Sequence, residues 1–137
     1  MVKDLYTVDG VVETSYDPSI KSIIVTWIHL GPHDHLRPCL EAQVDCVEND
    51  GAKVILVDTA ESTGVLAQVD QTWFGEYVFP TYQRNGVKAV ITVVPKSALT
   101  NLAAKQWQKT GSDFGVDFVE VDTIKTARKL AADYTSN

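Results

Sequence analysis

The chain has 137 residues, which suits a single domain over 1–137 and is long enough to bury a core without disulfides or metal. With 45% hydrophobic and 22% charged residues it reads as globular, and no apolar run approaches the ~20 residues of a membrane span. The net charge is -6 and the pI about 4.9, with twelve Lys and Arg scattered along the chain; this argues against nucleic acid and against an anionic membrane surface as partners.

MVKDLYTVDG at the start holds no apolar stretch of signal-peptide type, and the two cysteines suit a reducing compartment, so the expected location is the cytoplasm. On one helix Cys39 and Cys46 would be separated by about 10 Å of rise, beyond the ~7 Å between Cα atoms that a disulfide spans.

In chain order, MVKDLYTVDG reads equally as a short edge strand or a frayed tail. VVETSY (11–16) and the β-branched run IKSIIVTWIHL (20–30) read as strands joined by a DPS turn in which Pro18 presets φ, which gives an antiparallel hairpin. Gly31 and Pro32 end the second strand. Leu36, Leu40, Val44 and Val47 then recur at helical spacing, with Asp34 as N-cap, Pro38 in the first turn and Gly51 as the C-terminal stop.

KVILVD (53–58) is apolar enough for a strand buried on both faces. Residues 69–86 read as a helix capped by Asp70, kinked or split at Pro80 and closed by Gly86. VKAVITVVP (87–95) is a second buried strand, SALTNLAAKQWQKTG (97–111) a helix opened by Ser97, and VDFVEV (116–121) a shorter strand. Asp122 is the expected cap of a last helix with Ile124, Ala127, Leu130 and Tyr134 on one face. The order is β-β-α-β-α-β-α-β-α: an α/β class with a mixed sheet, an N-terminal antiparallel hairpin and a parallel remainder.

Several of these stretches together resemble a known family. Asp58 ends a strand, GVLAQVDQTWF (64–74) leads into a helix, NGVKAVITVVP (85–95) forms a strand ending in proline, and FVEVDTIKTARKL (118–130) closes the pattern. In that order they resemble the small SpoIIAA-like proteins of the STAS-like superfamily, over about residues 11–134. The resemblance implies a compact STAS-type domain that is a regulator or binding module rather than an enzyme, with a fold likened to that of CRAL-TRIO lipid-binding domains. In the anti-sigma factor antagonists of that superfamily an Asp-Ser-Ser-Gly type segment carries a switch serine. Ser62-Thr63-Gly64 imitates it, although Ser62 follows Asp58 by only four residues, so Ser62 and Thr63 are candidate phosphorylation positions by resemblance, against an ordinary turn by composition.

Two other stretches compete for a role. GPHDHLRPC (31–39) holds His33 and His35, but H-x-H straddling a helix start is a poor zinc spacing, and the partial positive charge of a helix N-terminus repels a cation. No metal and no cofactor are therefore expected, and no catalytic residue is assigned; a small hydrolase-type or metal-dependent enzyme using His29, His33 or His35 is the alternative. The aromatics Trp27, Trp73, Phe74, Tyr77 and Tyr82 read either as core or as the lining of a binding site, with Trp27, His29, Trp73 and Tyr77 as ligand-binding candidates. The leading expectation is a non-catalytic domain that binds a partner protein or a small apolar ligand. It is also expected to form a homodimer through the VVETSY edge, the aromatic helix, or both.

Overall fold

The structure, a computed structural model, describes residues 2–29, 33–61, 72–93 and 116–135. Among these the chain forms β1 (Lys3–Val8), β2 (Val12–Asp17), β3 (Ser22–Trp27), α1 (His33–Asp50) and β4 (Val54–Asp58). A π turn, Phe74–Val78, runs into α2 (Phe79–Arg84); β5 (Ala89–Val93), β6 (Asp117–Val121) and α3 (Ile124–Thr135) follow. The six strands form one mixed sheet in the order β1-β2-β3-β4-β5-β6. The first three pair antiparallel and β3 through β6 pair parallel. No helix among the described residues is long and apolar enough to cross a membrane.

The antiparallel part is a three-stranded meander rather than a hairpin. VVETSY therefore lies inside the sheet, and β1 is the edge on that side, with β6 at the other. The reason the first strand is hard to read is local: its register shifts between Asp4 and Tyr6, so the consecutive residues Leu5 and Tyr6 both pack on the core and alternation is lost. The turn between β2 and β3 is held by Asp17, whose carboxylate accepts from the Ser19 amide at 3.0 Å and the Ser19 hydroxyl at 2.6 Å.

In α1 the expected stripe of Leu36, Leu40, Val44 and Val47 is buried against the sheet, and Gly51 at φ 76 ends the helix in the left-handed conformation. Its start differs from expectation. The helix already includes His33, so Asp34 lies inside it rather than capping it, and Pro38 falls in the second turn. Proline there removes the single amide that would reach the Asp34 carbonyl, a limited loss beside the buried Leu36, Cys39 and Leu40.

Of the helix expected over 69–86, residues 72–84 are helical without a break: in place of a split at Pro80 the chain makes a π turn over Phe74–Val78 just ahead of it, and Asp70, the expected cap, lies outside the described residues. In α3 the cap is Thr123, not Asp122: the Thr126 amide donates to the Thr123 hydroxyl at 3.2 Å. The helix expected over 97–111 lies outside the described residues.

Two cores flank the sheet. Val12, Tyr16, Ile23, Val25, Trp27, Ile55, Val57 and Val90 pack with α1, Val78, Phe79 and Tyr82 on one face. Val54, Leu56, Ala89, Ile91, Val93 and Val121 pack with Ala127 and Ala131 of α3 on the other. Because side chains alternate along a strand, the neighbours Ile55 and Leu56 serve opposite cores.

Candidate functional site

Helix α1 starts where β3 ends, and the π turn precedes the helix that leads to β5. Their first turns thus lie toward the carboxyl ends of the parallel strands, where open α/β sheets hold ligands. Three side chains meet there. The guanidinium carbon of Arg37 lies 5.1 Å from the centre of the Trp73 ring, and Trp73 stacks on Tyr77 with centroids 5.4 Å apart and planes inclined by 29°. Trp73 leans on the core, whereas Tyr77 stays 39% exposed.

The backbone beneath the pair is fixed. The Thr81 hydroxyl donates to the Tyr77 carbonyl at 2.8 Å, Arg84 donates to that hydroxyl at 3.1 Å, and the Asn85 side chain donates to the Thr81 carbonyl at 2.9 Å. Pro80 has no amide to offer the preceding turn, and the π turn with its Thr81 clasp takes up the irregularity. π turns of this kind are frequent at functional sites. Partial burial raises the pKa of the Tyr77 hydroxyl, and the carboxylates of Glu41, Glu48 and Asp45 add to the rise while Arg84 opposes it.

The sequence candidates separate. Trp73 and Tyr77 come together. Trp27 is only 4% exposed and belongs to the same core on which Trp73 leans. His29 is exposed, its amide held by the Val11 carbonyl at 3.2 Å. The side chains of His33, His35 and Phe74 lie outside the described part of the structure, as do Ser62 and Thr63. Tyr82 is buried rather than part of the surface. Arg37 was not singled out by sequence reasoning: it lies 36 positions before Trp73, and no local pattern links the two.

Below this surface a buried polar chain crosses the core. The Tyr82 hydroxyl donates to Gln43 Oε1 at 3.4 Å, Gln43 Nε2 donates to Cys39 Sγ at 3.4 Å, and Cys39 Sγ lies 3.1 Å from the Thr14 hydroxyl. Burial pushes the Cys39 thiol and the Tyr82 hydroxyl upward in pKa, so both are neutral near pH 7. Cys46 is pushed up to about 12, by burial first and then by the charge of Asp50. Such thiols are poor nucleophiles and poor metal ligands.

A concavity of about 250 Å³ lies between β1 and α1, lined by Lys3, Asp4, Leu5, Asp45, Cys46 and Asp50 among others. The Lys3 ammonium spans it to Asp50 at 3.3 Å. Among the described residues no three His, Cys, Asp or Glu side chains are grouped to hold a metal ion.

Comparison of the chain with protein-family models, with curated proteins and with solved structures gives no match.

Proposed function

We propose that the chain is a non-catalytic binding or regulatory domain of STAS-like type, and that Arg37, Trp73 and Tyr77 form its contact surface for a partner protein. One observation carries the reading: an exposed tyrosine stacked on a tryptophan that itself carries a guanidinium. Trp, Tyr and Arg are the residues that dominate binding energy at protein interfaces. Preorganised by stacking and by the Thr81 clasp, they lose little side-chain freedom on contact. Fold class alone assigns no activity, so the reading rests on the surface and not on the resemblance.

A partner protein is favoured over a small apolar ligand because Trp27, which would line an internal pocket, is already packed in the core. Self-association through the same surface would bring the acidic face of α1 near its own copy, which like charge opposes. The N-terminal edge, β1, carries Lys3, Asp4 and a register shift, features that blunt edge pairing.

A photo-crosslinking amino acid placed at Tyr77 tests the reading in the cell. A discrete crosslinked product from position 77, missing when the same group replaces exposed Lys125, is the expected result. Equal labelling from both positions would refute it, and sedimentation at micromolar concentration identifies a product made of two identical chains.

A further inference from the structure

We propose that the Trp73–Tyr77 surface receives a basic segment of the partner, a stretch carrying arginine or lysine beside an apolar side chain. This rests on the reading above and adds the chemistry of the occupant. Glu41, Asp45 and Glu48 follow one another at spacings of four and three along α1, so they share one face, and all three are exposed. Arg37 lies over Trp73, and Glu41 and Tyr77 each follow one helical turn later, so the row runs on beside the aromatic pair; its charge accordingly raises the pKa of the Tyr77 hydroxyl. Among the described residues none of the three is engaged in an ion pair.

The surface also contains its own instance of the contact. Arg37 lies over Trp73, so a cation on an aromatic face is already accommodated here, while Tyr77 remains partly open to solvent. Among the described residues, Arg37 and Arg84 are the positive groups at the margin. Arg37 meets Trp73 and Arg84 meets the Thr81 hydroxyl, so among the described residues the carboxylates, the row on α1 and exposed Glu76 of the π turn, are the charges for an incoming group to meet. A guanidinium of the partner would stack on Tyr77 with its donors toward Glu41 and Asp45, and an apolar neighbour would cover the rest of the ring pair. The net charge of -6 draws such a segment in from a distance.

Division of labour follows from these positions. The aromatic pair anchors, and the exposed carboxylates, screened by salt, set approach and register. Random twelve-residue peptides displayed against the 137-residue chain supply the probe. The expected outcome is enrichment of peptides with arginine or lysine next to an apolar residue. Their affinity should fall about tenfold or more in Tyr77→Ala. It should also fall about tenfold in the triple variant Glu41→Gln/Asp45→Asn/Glu48→Gln at low salt, with a smaller gap at high salt. Neutralising the remote acids Asp9, Glu13 and Glu120 should change it less than about twofold. All these side chains are exposed, and circular dichroism verifies that each variant is folded.

Enriched peptides that are neutral or acidic, yet lost in Tyr77→Ala, would overturn the basic segment and leave the binding surface standing. Peptides that bind Tyr77→Ala as well as the parent, or equal losses from remote and local neutralisation, would overturn both. A selection that enriches nothing counts against both as well.

Discussion

The two faces of the sheet are built from different materials. Toward α1 and α2 the core holds Tyr16, Trp27, Phe79 and Tyr82, with Trp73 and Phe118 leaning on it, and the polar chain Thr14–Cys39–Gln43–Tyr82 runs through it. Toward α3 its buried residues are all aliphatic, with Tyr134 leaning on the rim and Ala127 and Ala131 wholly buried, so the helix backbone approaches the strands closely. An aliphatic face needs only the right volume, and many side-chain combinations supply it. An aromatic face crossed by hydrogen bonds accepts few arrangements, because each polar atom must keep its partner. The face with the demanding interior is also the one that carries the exposed aromatic pair, and the rigidity of the first holds the geometry of the second.

The sharpest test of that contrast is Phe79→Ala. Phe79 is fully buried, meets Phe118 edge-on at 5.8 Å and lies 6.4 Å from Tyr82, so truncation opens a cavity directly behind the π turn. A loss of about 3–5 kcal/mol is expected in urea denaturation, together with a changed Trp73 fluorescence in the native state. Stability lowered with no response from the tryptophan would separate the aromatic core from the surface it is held to support.

Next come the neighbours on β4. Ile55→Ala and Leu56→Ala remove similar volumes from opposite faces, and each should cost about 2–5 kcal/mol. The contrast predicts that Ile55→Ala impairs peptide binding at Tyr77 in addition, whereas Leu56→Ala lowers stability alone. Equal effects on binding would mean that the two faces are not mechanically distinct.

Smaller again is the polar chain. Gln43→Leu leaves the Tyr82 hydroxyl buried without its acceptor, at about 1–3 kcal/mol. Adding Tyr82→Phe removes the orphaned group, so the double variant should be more stable than the sum of the single losses. Strict additivity in that cycle would show the 3.4 Å contact to be energetically idle.

Parts of this architecture are legible in the sequence for physical reasons. KVILVD and VKAVITVVP announce buried parallel strands because both of their faces are covered, and the stripe from Leu36 to Val47 announces α1 because one face alone meets the sheet. Strand β1 is obscure because its bulge puts Leu5 and Tyr6 on the core in succession. The cap of α3 is ambiguous in the sequence because Asp122 and Thr123 are both capping residues, and only the hydrogen bond from the Thr126 amide selects Thr123. At the candidate site, Trp73 and Tyr77 are legible as a pair four residues apart. Arg37 and the acidic row of α1 become their neighbours only through tertiary packing.

The smallest expected effect lies at the margin of the aliphatic face. Asp17 is buried, accepts two hydrogen bonds from Ser19, and receives Arg128 of α3 at 2.7 Å. The Ser19 hydroxyl, then its amide and the Arg128 guanidinium, hold the Asp17 carboxyl below its ordinary value of 3.8 against the opposing pull of burial. A carboxyl whose pKa is depressed in the folded state binds its proton more readily when unfolded. Its contribution is therefore fully present above the unfolded value and disappears as pH falls through the folded one. Arg128 is about half exposed, so solvent screens its share, and Arg128→Ala should cost about 1 kcal/mol or less at pH 7. Asp17→Asn should cost somewhat more, about 1–2 kcal/mol, because the Ser19 bonds weaken as well. Urea midpoints followed from pH 7 to pH 2 give the check. The gap between the parent and Asp17→Asn should hold constant down to about pH 4 and narrow below it. A gap that stays constant throughout would show that Asp17 does not keep its charge for the sake of α3, and would leave that helix held by its apolar face and by the contacts of Tyr134 with Asp117 and Lys88.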